Sequence, residues 1–305
     1  MSIYRRAFWL YPIFQIPLIC LGTFLVAALL FWLFNFGRPQ VAVAVALDLS
    51  HSTYEGRTEL FNVPGTVLNQ EVKAVQAYLR QNTGEVLRRP NQVKVFGFGQ
   101  EVKPLTTNFD SNSKKVEQEL LQTLAMPGIA QAVLPNDTNI NRAIEEGINA
   151  LKTVPNACKE LILVTDGIDG RATISPSLIT EAFTNQIKIH SVVVGQKAPA
   201  LNVATTGTRG KYLSGDSKDL SAFFTDDFFN LFNSNLRWII FWLGLAWISL
   251  MWVLVLPLDR WVFQGLFKMT MDISGKLALS HALFWTVLTT ILLWRIWGIP
   301  FLSAC

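Results

Sequence analysis

Residues 41–54 read VAVAVALDLSHSTY. The first seven form an unbroken apolar run in which β-branched valine alternates with alanine, the pattern of a strand buried on both faces of a parallel sheet. The run then breaks into Asp48, Ser50 and Ser52, three oxygen-bearing side chains spaced two apart. At the carboxyl end of a central strand, such residues stand in the crevice where open α/β sheets bind ligands. A carboxylate and two hydroxyls converging there suit a hard divalent cation such as Mg²⁺, which takes oxygen ligands and keeps several waters.

Two downstream segments extend the pattern. Residues 135–151, PNDTNINRAIEEGINAL, place Thr138 just ahead of a helix with apolar spacing at Ile140, Ala143, Ile144 and Ile148. Residues 159–167, KELILVTDG, repeat the buried-strand pattern and end in Asp166 and a glycine. The set DxSxS, then Thr, then Asp at a strand end resembles the metal-ion-dependent adhesion site of von Willebrand factor type A (vWA) domains. The resemblance spans about residues 40–232, and the tail TGTRGKYLSGDSKDLSAFF is similar to that family's last strand and helix. It implies an α/β fold with a doubly wound, mostly parallel sheet flanked by helices. It also implies a metal shell of Asp48, Ser50, Ser52, Thr138 and Asp166, holding Mg²⁺ with Mn²⁺ or Ca²⁺ as alternatives. One departure is Asp137, where the family usually carries glycine; an extra carboxylate there would alter metal affinity or partner choice.

Working outward, the composition adds a membrane. Half of the 305 residues are hydrophobic, ten are tryptophan, and the mean hydropathy is +0.32, values that call for membrane segments beside a folded core. The net charge of +4 is mild, and the basic residues are scattered or flank apolar spans, so no nucleic-acid-binding stripe is visible. Cys20, Cys158 and Cys305 lie in different segments and form neither a metal-ligand spacing nor an obvious disulfide framework.

Arg5 and Arg6 precede an apolar span over residues 13–34, too long for a signal-peptide core and closed by no small-residue cleavage pattern. This reads as an uncleaved anchor within residues 1–38. The vWA-like domain occupies 39–232, with helices expected near 68–82, 114–125, 138–154 and 177–186 and strands near 91–99 and 187–195. Strands alternating with helices argue a parallel sheet. Gly97 and Gly99 make no dinucleotide loop, because Val102 stands where a third glycine is needed. Residues 233–305 hold two more spans, about 238–256 and 277–294, joined by a cytoplasmic loop at 257–278 with a surface-lying helix. That makes three transmembrane helices in all. Placing Arg5, Arg6, Arg260, Lys268 and Lys276 inside satisfies the positive-inside bias and puts the large domain outside the cytoplasm.

The chain is thus similar to bacterial membrane proteins with a vWA module, including those of aerotolerance-type operons. The function expected is Mg²⁺-dependent protein–protein binding, in assembly or regulation of membrane or envelope complexes, at a bacterial inner membrane. The hydroxyl-rich shell leaves the cation under-neutralised, so a protein partner is expected to supply an Asp or Glu. Other expected partners are the bilayer, other integral membrane proteins and, by resemblance alone, a MoxR-type AAA+ ATPase; nucleic acid is not among them. No enzyme is expected. A metal-dependent hydrolase would need a general base, for which only His51, Asp137 and Asp169 stand near. An accessory subunit of a transporter or channel is the other alternative.

Overall fold

Every residue of β1 (Val41–Asp48) is buried. In this computed structural model, which describes residues 10–54, 65–84, 87, 89–167, 173–195 and 197–301, β1 lies inside a six-stranded sheet of order β3-β2-β1-β4-β5-β6. It pairs in parallel with β2 (Gln92–Phe98) on one side and β4 (Cys158–Thr165) on the other. The parallel order continues through β5 (Ile187–Val194) to β6 (Tyr212–Gly215). Only the short edge strand β3 (Val102–Pro104) runs antiparallel. The fold is therefore the expected doubly wound α/β arrangement.

The alternation of valine and alanine in β1 decides what covers each face. Val41, Val43, Val45 and Leu47 pack under α2 (Val67–Gln81), α3 (Ser113–Leu124) and a last helix, α8, in which π-helical Phe223–Phe228 joins α-helical Leu220–Ala222 to Phe229–Phe232. Ala42, Ala44 and Ala46 share the other core with α5 (Ile140–Lys152), α6 (Pro176–Thr184) and α7 (Pro199–Gly207); the single turn α4 (Ile129–Ala132) lies between α3 and α5. The small side chains let α5 come close. A Cβ on its Gly147 would sit 2.5 Å from the Leu161 side chain, so a larger residue there requires Leu161 or the helix to shift.

The helices at 67–81, 113–124, 140–152 and 176–184 fall within two residues of their expected positions, whereas α7 and β3 were not anticipated. The cysteines need a correction. Cys20 is free, but Cys158 at the start of β4 is disulfide-bonded, contrary to the absence of a disulfide framework read from spacing; its partner lies outside the described residues.

The chain divides into two compact units, the sheet domain at Pro39–Asn233 and a helical unit made of the segments on either side. The helical unit contains three helices long and apolar enough to cross a membrane: α1 (Pro12–Phe34), α9 (Leu236–Leu266) and α10 (Met271–Ile296). Within it, Asn235 donates to the Phe31 and Phe36 carbonyls, tying the start of α9 to the end of α1. Gly244 faces Leu293, where a Cβ would meet the leucine at 2.6 Å, and the Trp252 indole donates to the Thr286 hydroxyl at 3.1 Å. Because α9 continues through Pro257 to Leu266 and α10 begins at Met271, only four residues link them. Within the stretch 257–278, where a loop with a helix was expected, the helix is continuous with α9 up to Leu266. Arg5 and Arg6 lie outside the described residues.

Candidate metal centre

The strand order reverses between β1 and β4: the chain moves outward to β2 on one side and returns to β4 on the other. Beyond the carboxyl ends of two such strands the following segments part, leaving a crevice. Asp48 is the last residue of β1 and fully buried. Its Oδ1 accepts from the Ser50 N–H at 2.9 Å, folding the chain back into the 3₁₀ turn His51–Tyr54. That fold brings the Ser50 and Ser52 hydroxyls to 2.9 Å from each other. Thr53, which the sequence did not single out, clamps the turn: its hydroxyl donates to the carbonyls of Asp48 and Ser50, both at 2.9 Å.

The end of β4 supplies the second wall. Thr165 donates its hydroxyl to Asp48 Oδ2 at 2.6 Å, cross-linking the two strand ends. Asp166 follows, 7% exposed, and Gly167 turns the chain away at φ 68°, a left-handed conformation that glycine adopts without Cβ strain.

The third wall carries Thr138. The His51 N–H donates to the Pro135 carbonyl at 3.0 Å, and the Asn139 N–H to the Gly99 carbonyl at 2.8 Å. Gly99 makes this closeness possible. A Cβ there would stand 2.7 Å from the Val133 carbonyl oxygen and 3.1 Å from that of Leu134. The glycine dismissed above as a nucleotide loop thus seats the Thr138 loop against the turn bearing Ser50 and Ser52. Thr138 itself is half-buried, and its N–H donates to Asp137 Oδ1 at 2.9 Å. All five sequence-predicted residues therefore stand on segments that meet at the carboxyl end of the sheet.

The electrostatics of this end are unusual. Burial pushes the Asp48 carboxyl up to about 6; hydrogen bonds from Ser50 and Thr165 oppose the shift, and the charge of Asp166 adds to it. A further carboxyl that the sequence reading missed is Glu71 on α2, 0% exposed. Burial holds it well above the usual carboxylate range, and repulsion from Asp48 and Asp166 pushes the same way. Among the described residues no Lys, Arg or His forms an ion pair with Asp48 or Glu71. The sequence did carry a signal for Glu71. It interrupts the apolar stripe Leu68, Val72, Val75, Leu79 of α2, where a core-facing position ordinarily takes a hydrophobe.

These residues fit a hard cation. The donors are all oxygens: two converging hydroxyls, a third on the adjoining loop, and the buried Asp48 carboxyl, which among the described residues has no Lys, Arg or His ion pair. Among the described residues no group of three or more His, Cys, Asp and Glu side chains is placed to hold a metal, which leaves the hydroxyls as the centre of any such site. Of the other residues singled out, His51 is half-buried against Tyr54 at a ring separation of 5.4 Å, and Asp137 is exposed. Asp169 lies outside the described residues.

No protein-family model matches the sequence, and no curated protein matches it either. Solved structures do match. A vWA structure from Catenulispora acidiphila is 15% identical and covers 64% of this chain and 43% of its own, with a TM-score of 0.47. An aerotolerance-related membrane protein from Bacteroides fragilis is 13% identical over 61% of this chain and 96% of its own, at 0.45. Proximal thread matrix protein 1 from the mussel byssus, with a zinc-occupied metal-ion-dependent adhesion site, is 18% identical over 62% and 47%, at 0.43. The chain spans less than half the length of the first and third of these. What this chain itself shows is a doubly wound, mostly parallel sheet, together with three helices long and apolar enough to cross a membrane.

Proposed function

We propose that this protein is a membrane-anchored binding module that recruits a protein partner through a divalent cation. The observation that carries the reading is the pair of Ser50 and Ser52 hydroxyls, 2.9 Å apart above a fully buried Asp48 at the switch point of the sheet. Mg²⁺ would be held by Ser50, Ser52 and Thr138, with Asp48 and Asp166 supplying charge. The cation supplies an electrophilic centre that accepts a partner's carboxylate. The protein's own residues fix that acceptor in place: Thr53 locks the turn, Thr165 holds Asp48, and Gly99 admits the Thr138 loop. The partner is an Asp- or Glu-presenting protein of a membrane or envelope complex, other integral membrane proteins and a MoxR-type ATPase being the candidates.

The full chain in detergent is expected to bind one Mg²⁺ or Mn²⁺ by calorimetry. Asp48→Ala should abolish binding, and Thr138→Ala should weaken it by about tenfold or more. Equal affinity in wild type and Asp48→Ala would sink the assignment.

The same proposal places the chain in a bacterial inner membrane with the sheet domain on the extracytoplasmic side, motivated by Arg5, Arg6, Arg260, Lys268 and Lys276. A periplasm-active reporter fused after Cys305 should be active, and one inserted near Gln264 silent. The opposite pattern would put the sheet domain in the cytoplasm.

A further inference from the structure

Glu71 is an ionisable residue whose presence in the core the fold alone does not explain. It lies on the face of α2 that also buries Leu68, Val72 and Val75, and it is completely enclosed. Neither carboxyl oxygen has a hydrogen-bond partner. A buried polar group left unpaired destabilises a fold, and a charged one does so more, so a leucine or methionine would serve α2 better. The position is not random within the core. Glu71 is close enough to Asp48 and Asp166 to feel both charges, and its carboxyl lies beside the Asp48 backbone. α2 also packs against the end of β1 and against the 3₁₀ turn His51–Tyr54, sharing one core with Leu49 and Tyr54. The orphaned carboxyl therefore faces the base of the candidate metal centre from within the core.

We propose that Glu71 is a positioning residue of the cation site: a third carboxylate behind Asp48 that supplies buried negative charge to a divalent ion held by the hydroxyls above. The three carboxylates do not form a ligand cluster of their own, so Glu71 acts at one remove, through Asp48 and the field it adds. This assigns a purpose to an otherwise costly residue. It also relieves the weakness of a shell built largely from neutral hydroxyls, which by itself favours a divalent over a monovalent ion only modestly. Two effects of opposite sign follow. Without metal, Glu71 destabilises the domain by its own unpaired burial. With metal, its carboxylate attracts the cation.

The inference rests on the metal-centre reading, and the experiment separates the two. The full chain in detergent is titrated with Mg²⁺ and with Mn²⁺ as wild type, Glu71→Gln, Glu71→Leu and Asp48→Ala, and each is melted in chelator and in saturating Mg²⁺. Glu71→Gln and Glu71→Leu are expected to bind both ions at least tenfold more weakly than wild type. Both should melt in chelator at or above the wild-type temperature and gain less from Mg²⁺. A merely structural glutamate predicts the reverse: a lower melting temperature in chelator with metal affinity unchanged, and that result overturns the inference while leaving the site intact. Should Glu71→Gln not fold, Glu71→Leu, which matches its apolar neighbours, decides by the same criteria. Wild type that binds neither ion would overturn the metal-centre reading and this inference together.

Discussion

The two ends of the sheet bury carboxylates in opposite ways. At the amino end, Glu160 of β4 is almost enclosed, yet each oxygen has a partner: Oε1 pairs with Lys188 at 3.2 Å and Oε2 with His190 Nε2 at 2.7 Å. The remaining His190 nitrogen accepts from the Lys211 N–H at 2.9 Å, and Phe228 and Phe232 of α8 enclose the ring at 5.3 and 5.2 Å. At the carboxyl end, among the described residues, Asp48 is held only by neutral donors and Glu71 has no side-chain partner. One sheet thus contains a completed polar network and an incomplete one. Completed networks are what a fold uses to bury charge safely, and an incomplete one concentrates unbalanced charge where an external cation can balance it.

The largest effect expected from disturbing this contrast is at the satisfied end. Glu160→Ala leaves His190 and Lys188 without their acceptor, and removing one partner of a buried pair costs about 3–5 kcal/mol. Chemical unfolding should show that loss while metal affinity stays at the wild-type value. A cost below about 1 kcal/mol would mean the amino-end network is not structurally important, and the contrast would fail.

A smaller effect is expected at the unsatisfied end, from pH. The folded-state carboxyl of Asp48 titrates near 6 against an ordinary value of 3.8, so between those values the native chain keeps a proton that the unfolded chain has lost. Metal-free protein therefore loses stability as pH rises from about 4 to 6, by on the order of 3 kcal/mol, and Glu71, also raised, pushes in the same direction. Asp110 and Glu119 are shifted downward by Lys115 and Thr107 and act with the opposite sign, so the informative quantity is the difference between wild type and Asp48→Asn. That difference should shrink with rising pH in chelator and lose its slope in saturating Mg²⁺. A flat difference in chelator would show that Asp48 is not raised by burial.

Much of this was legible in the residues. The Val/Ala alternation of β1 announced a strand covered on both faces, and the DLSHS break announced a polar crevice at its end, because both signals are local and periodic. The three apolar helices were equally plain from length and composition. Less legible was the short link after α9. Pro257 and the charges of Asp259 and Arg260 look like loop chemistry, yet Gln264 and Ser274 both donate to Asp259, and the helix runs on to Leu266. Cys158 likewise gave no sign of its disulfide, since spacing along the chain says little about distance in space.

The sequence by itself determined which strands are central, which residues carry oxygen donors, and that the domain travels with helices long and apolar enough to cross a membrane. Each is written in the period and type of adjacent residues. Tertiary structure alone decided that Gly99 makes room for the Thr138 loop, that Thr165 reaches across from β4 to Asp48, and that Glu160 is answered by His190 and Lys188 while Glu71 meets no cationic side chain among the described residues. Those facts depend on groups tens of residues apart meeting in a close-packed interior, where a single Cβ or an unpaired oxygen changes the energy. No local pattern encodes who stands opposite whom.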